Sequence, residues 1–226
     1  MLDPILIAIQ LISLLIGFSL HEAGHAYCAS FLGDNTSQKL GRLTANPLKH
    51  LDPFGSVLLP IMLILAGSPF IFAAAKPVPV NPRNFKRPFA DFAIVALAGP
   101  MANIFLALTG ALTMRYAGLD NAMLITFLVF FIWINLVLAF FNLLPIPPLD
   151  GSKVLAGLLP RAAASQFIRL EKFGFLFLIL LIFGGSLLPL SPLAEWIFFL
   201  KAAFNPLLEH AAGFPLGEQM DQLFGI

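Results

Sequence analysis

Apolar residues gather into runs at about 5–31, 54–66, 91–114, 121–144 and 173–190, with weaker apolar character at 193–204. Four of these reach or approach the roughly 20 residues that a membrane-spanning helix needs. The run at 54–66 does not, because at 1.5 Å per residue it covers only about 20 Å before Gly67, Ser68 and Pro69 interrupt it. Beyond it, proline stands at 69, 77, 79 and 82 with Phe70, Ile71, Phe72, Val78 and Val80 between, a pattern that predicts an extended course. Polar, turn-rich connections occupy 33–53 and 147–172, the second containing an amphipathic stretch at 153–170. The expectation is an all-α polytopic membrane protein with about five transmembrane helices and a re-entrant helix and extended loop at residues 54–82. It reads as one membrane-embedded domain over 1–226, with a core at 5–172 and C-terminal helices at 173–226.

Composition agrees with this pattern. Of 226 residues, 59% are hydrophobic and 11% charged, with a mean hydropathy of +0.90, so most of the chain faces lipid or itself. A net charge of +1 offers no basic surface for nucleic acid, and the few cations serve as topology markers. The single cysteine, Cys28, excludes an internal disulfide framework and any CxxC site. The first run lacks a basic start, carries Asp3 and has no small-residue cleavage site, so it is not read as a signal peptide.

Near the end of that first run stands His21-Glu22-Ala23-Gly24-His25. Residues four apart lie one helical turn above each other, so His21 and His25 can aim both imidazoles at one metal ion. Glu22 projects from the adjoining side, where it can reach a metal-bound water and act as general base. The plainer alternative is a pair of core histidines bonded to backbone carbonyls. Ionisable groups at membrane depth are costly, which lowers its weight. Two histidines leave a zinc site incomplete, and the best third ligand is Asp150, in the segment NLLPIPPLDG at 142–151. There prolines break the fourth run and free backbone groups beside a cavity. Pro-Pro-Leu-Asp-Gly is also good turn chemistry, and taken alone it favours a turn. Cys28 shares the helical face of the histidines and rivals Asp150, but it lies a turn too far along, and packed thiols are commoner. His50, beside Lys49 in a polar loop, reads as solvated, and Asp52 before Pro53 as a turn or helix-start residue.

Taken together, HEAGH at 21–25, Gly99-Pro100-Met101-Ala102-Asn103 and the 142–151 segment resemble the site-2 protease family of intramembrane zinc metalloproteases. The loop KPVPVNPRNF at 76–85 is similar to that family's compact branch, without PDZ or CBS domains. The resemblance covers roughly residues 5 to 172. It implies one Zn2+ per chain held by His21, His25 and Asp150, with Glu22 as catalytic base. Asn103 and Asn142 become polar groups near the substrate, a transmembrane segment of another protein. Two other classes compete. A metal transporter should show further polar residues through the other half of the bilayer, and few are present; a non-catalytic zinc scaffold has no need of Glu22.

A shared ion makes a topological demand. If His25 and Asp150 meet, the C-terminal ends of the first and fourth runs lie on one side of the bilayer. The runs at 91–114 and 121–144 cross and return, so 54–82 must enter and leave on that same side. The basic residues at 39–87 and 153–172 then fall on the ligand side, leaving Arg115 and Lys201 opposite. The positive-inside tendency places the site's mouth at the cytoplasmic face of a bacterial-type cell membrane, with the N-terminus outside. An extended stretch there can also pair with an unwound substrate.

Overall fold

The computed structural model describes residues 3–65, 73, 75–117, 120–174, 176–177 and, further on, 195, 199, 202–203, 206 and 209–213. The expected Gly-Ser-Pro break, nearly all of the run at 173–190 and most of the C-terminal helices lie outside the described residues. Among the described residues the chain is helical and has no strand.

Local chemistry sets the helix starts. Helix α1 (Pro4–Phe31) opens with Pro4 in its first turn, and the Asp3 carboxylate accepts the Ile5 N–H at 2.8 Å. A single turn, α2 (Thr36–Lys39), follows. Asp52 caps a π-helical turn at Pro53–Leu58 by accepting the N–H groups of Phe54 and Gly55, as its place before Pro53 predicts, and the turn runs into α3 (Leu59–Leu65). At the start of α4 (Pro88–Tyr116), Asp91 accepts the Arg87 N–H and pairs with its guanidinium, both at 2.9 Å. Asn121 caps α5 (Ala122–Asn142) through the N–H groups of Met123 and Leu124. The amphipathic stretch becomes α6 (Asp150–Leu158), α7 (Arg161–Ile168) and a 3-10 turn at Arg169–Phe173.

Helices α1, α4 and α5, with 28, 29 and 21 residues, are long and apolar enough to cross a bilayer. They match three of the expected spans. Among the described residues the apolar segment Pro53–Leu65 is shorter than these three. Where α4 meets α5, Ala107, Ala111, Val129, Ile132, Trp133 and Leu136 form a buried core, with the alanines allowing close approach. Helix α1 also meets α4 closely: a Cβ on Gly24 would lie 2.8 Å from the Ala98 carbonyl oxygen. The glycine inside HEAGH is thus a backbone contact between helices.

Two clips fix the loops at the motif end of the bundle. The Lys76 N–H donates to the His50 carbonyl at 2.9 Å, and the Arg42 guanidinium to the Lys76 carbonyl at 2.7 Å. Chain entering α3 and chain returning from it are thereby stitched together. His50 is fully buried, not solvated, because its Nε2–H closes a turn onto the Thr44 carbonyl at 2.8 Å. The second clip is Asp34, fully buried just after α1, which accepts the Asn81 N–H at 2.7 Å, Asn84 Nδ2 at 2.6 Å and the Thr36 N–H at 3.1 Å. Burial pushes its carboxyl up, but the hydrogen bonds from Thr36, Asn81 and Asn84 outweigh this and hold it below the ordinary value.

Candidate metal centre

Helical register brings the two histidines of the motif together. His21 Nε2 and His25 Nε2 lie 3.0 Å apart, and Asp150, the first residue of α6, places Oδ2 3.1 Å from each. All three residues are buried, at 6%, 8% and 5% exposure. Asp150 is delivered by the turn after α5: the Leu149 N–H bonds the Ile146 carbonyl at 2.9 Å, and the Ser152 N–H and hydroxyl both bond Leu149. The turn chemistry legible at Pro-Pro-Leu-Asp-Gly is what aims the carboxylate at the histidines.

The outward ring nitrogens are both occupied. His25 Nδ1–H donates to the Val95 carbonyl at 2.7 Å, and His21 Nδ1 meets Asn103 Oδ1 at 2.6 Å. With the protons on Nδ1, both Nε2 lone pairs point inward. Two imidazole nitrogens and a carboxylate oxygen at the corners of a 3.0–3.1 Å triangle repel one another unless a shared proton or a metal cation lies among them. The donor set fits Zn2+, and so do the edges, close to the roughly 3.3 Å set by tetrahedral bonds of about 2.0–2.1 Å. The bond to Val95 is of the kind expected for core histidines, yet it uses only the nitrogen that faces away from the cluster.

The Gly99-Pro100 pair forms the floor. A Cβ on Gly99 would stand 2.4 Å from His25 Nε2 and 2.7 Å from His21 Cε1, so the imidazoles rest on bare backbone. Pro100 has no N–H for the Ala96 carbonyl, which loosens the α4 ladder beside the ring of His25.

Beside the triangle, Glu22 is half-buried, and its Oε2 accepts the Val78 N–H at 2.6 Å. A cavity of about 420 Å³ opens over the cluster, and His21, Glu22, His25, Asp150, Val78 and Asn142 are among the residues that line it. Of the proline-rich segment, the described residues 73 and 75–81 contain no helix, as the sequence predicts, while Pro82 opens a short 3-10 turn at Pro82–Asn84. Asn142 donates Nδ2 to the Leu138 carbonyl at 2.9 Å while lining this cavity. Asn103 lies elsewhere. It is fully buried behind His21, with Nδ2 donating to the Gly17 carbonyl at 3.0 Å and to Asn135 Oδ1 at 2.8 Å. Cys28 packs with Ala29, Phe85 and Val95, outside the cluster.

Sequence reasoning missed Lys153, whose Nζ lies 3.1 Å from Asp150 Oδ1, the oxygen turned away from the histidines. Its i,i+3 spacing from Asp150 on a helix is the signal that marks it.

Comparison with known proteins agrees with this geometry. Residues 109–184 match the model of Peptidase family M50. The chain is 39% identical over 218 residues to the Bacillus subtilis (strain 168) protein named "Putative zinc metalloprotease YwhC", covering 87% of this chain and 93% of that one. It is 32% identical over 174 residues to "Putative zinc metalloprotease Rip2" of Mycolicibacterium smegmatis, covering 76% of this chain and 66% of that protein. No solved structure matches. A membrane-embedded protein with a buried His-His-Asp cluster beside a glutamate is of the metalloprotease class. The chain belongs to peptidase family M50, the site-2 proteases, whose metal is zinc.

Proposed function

We propose that this chain is an intramembrane zinc endopeptidase that hydrolyses peptide bonds in or near transmembrane segments of other membrane proteins. His21, His25 and Asp150 hold the ion, and Glu22 is the catalytic base. One observation carries the reading: the Glu22 carboxylate stands beside three converging ligand atoms at the end of a spanning helix, and all four residues face one cavity. When bound, zinc supplies Lewis acidity that lowers the pKa of a water and polarises the scissile carbonyl. Glu22 takes the proton from the attacking water and passes it to the leaving amine. Asn142, at the cavity wall, holds exposed substrate backbone, because an amide can pair with both N–H and C=O. Asn103, which the resemblance puts near substrate, acts in this reading from behind His21. Lys153 neutralises the outer oxygen of Asp150 and keeps the inner one aimed at the ion.

Several observations support a re-entrant segment at 54–82 and a site that opens toward the cytoplasm. The apolar helix there is short, and the bond between His50 and Lys76 holds its two flanks at one level. A fold of about five spans, completed after residue 172, puts the basic loops on the side of the metal site, with the N-terminus outside a bacterial-type cell membrane.

The test is zinc content and cleavage of a fluorogenic transmembrane peptide by detergent-purified protein. Wild type should bind one zinc and cleave. Glu22→Gln should keep zinc and lose about 10²- to 10⁴-fold in rate, and Asp150→Ala should lose both. Zinc without cleavage of any of several substrates would favour the scaffold reading, and absence of zinc would end the metal reading altogether.

A further inference from the structure

In the middle of α5, between Ile134 and Leu136, stands a fully buried amide, Asn135, at a depth where an unpaired polar group is costly. Its Nδ2 donates to the Phe131 carbonyl at 2.8 Å, and its Oδ1 accepts Asn103 Nδ2 at 2.8 Å. The other hydrogen of Asn103 Nδ2 goes to the Gly17 carbonyl at 3.0 Å, and Asn103 Oδ1 faces His21 Nδ1 at 2.6 Å. Each link dictates the next. The Phe131 and Gly17 carbonyls can only accept, so Asn135 must turn its oxygen toward Asn103, and Asn103 must turn its nitrogen toward both. The oxygen of Asn103 is then left for His21, and only a protonated Nδ1 satisfies it.

We infer that Asn135, which touches neither the ligand atoms nor the cavity, is a positioning residue that sets the tautomer of His21 through Asn103. The neutral ring's proton goes to Nδ1 and its lone pair to Nε2, the atom facing His25 and Asp150. The two histidines differ in this respect. His25 is oriented by a backbone carbonyl, Val95, which cannot rotate, whereas His21 is oriented by a side-chain amide that can. Asn135 and Gly17 are the two acceptors that stop it. They come from separate helices, α5 and α1, and a Cβ on Gly17 would stand 3.1 Å from Asn135 Oδ1 and 2.8 Å from Leu138 Cδ1. The relay therefore needs α1, α4 and α5 packed against one another. For zinc affinity the inference rests on His21 being a ligand, as proposed above; the tautomer does not depend on it.

The experiment uses the full chain, labelled with ¹⁵N-histidine and metal-free in detergent, and reads the His21 ring nitrogens by NMR, assigned through their loss in His21→Gln. Zinc affinity is measured in parallel by chelator competition. Wild type should show a single Nδ1–H form at His21. Asn135→Leu leaves one Asn103 hydrogen without an acceptor; it should give a mixture with the Nε2–H form and weaken zinc binding on the order of 10-fold, the lower end for an outer partner of a ligand. Asn135→Asp, whose carboxyl can still accept from Asn103 and donate to Phe131, should behave as wild type in both readouts. An Nε2–H form in the wild type would overturn the inference without any variant. So would an unchanged tautomer in Asn135→Leu, or an equal loss of zinc affinity in Asn135→Asp with the tautomer unchanged. Absence of peptide cleavage alongside an Nδ1–H His21 would count against the protease reading and leave this inference standing.

Discussion

Glu22 and Val78 are joined across 56 residues of sequence by a hydrogen bond of 2.6 Å, from the Val78 N–H to Oε2 of the carboxylate. It ties the proposed base on α1 to the non-helical stretch that lines the same cavity, and it occupies one acceptor direction of the group that would take a proton. Val78→Pro removes the donor while suiting the non-helical course between Pro77 and Pro79. One such bond is worth about 0.5–1.5 kcal/mol, so its loss should speed cleavage of a short unstructured peptide about 2- to 10-fold. Zinc content should not change. A slower variant would mean that this stretch holds substrate more than it covers the base.

Gly99→Ala asks whether the floor of the site is as tight as it looks. The added methyl would overlap both imidazoles, at 2.4 Å from His25 Nε2 and 2.7 Å from His21 Cε1. Alanine is a better helix former than glycine by about 1 kcal/mol, so α4 itself should not suffer. The expected result is a folded protein that has lost zinc and activity together. Full zinc occupancy in this variant, measured by metal analysis, would contradict the geometry.

Much of this arrangement is legible in the sequence. The spacing of His21 and His25 fixes their convergence once α1 is a helix, and the apolar runs mark α1, α4 and α5 closely. The partners that cross between helices are not legible. Asn103 is 82 residues from His21, and nothing in the local pattern around Gly99-Pro100 says that its amide is used on the histidine instead of the cavity. Asn135 is hidden for the same reason, as a single amide in an apolar run whose partners lie on other helices. His50 reads as solvated because its neighbours are polar, while its burial comes from the turn that it closes.

Asp34 gives the protein an acid-sensitive clip. Its carboxyl lies below the ordinary value when folded, so its stabilisation is fully present above the unfolded value of about 4 and fades as pH falls below that. Asp34→Ala removes the acceptor of the Asn81 N–H and of the exposed Asn84 amide, a cost of about 0.5–1.5 kcal/mol per bond. The expected readout is easier proteolysis of the 76–87 stretch at neutral pH. The gap between wild type and variant should narrow below pH 4; a constant gap would assign the loss to packing.

In the proposed site zinc should act as a staple as well as a catalyst, since His21, His25 and Asp150 would join α1 to α6 through it. With free zinc at 100 times its dissociation constant, the gain is about 2.7 kcal/mol, or roughly 5–10 °C in thermal midpoint for a chain of this size. A chelator should reverse the shift, and Asp150→Ala should abolish it. A shift that persists in that variant would place the metal elsewhere.

The cluster also has a place in time. His25 and Asp150 are 125 residues apart, so during synthesis both histidines and the glutamate leave the ribosome long before the carboxylate that completes the triangle. Until α6 is made and folds back beneath α1, the growing chain holds two thirds of a metal site and no working one. On the proposed reading, a newly made copy therefore gains its activity only when its own core has closed.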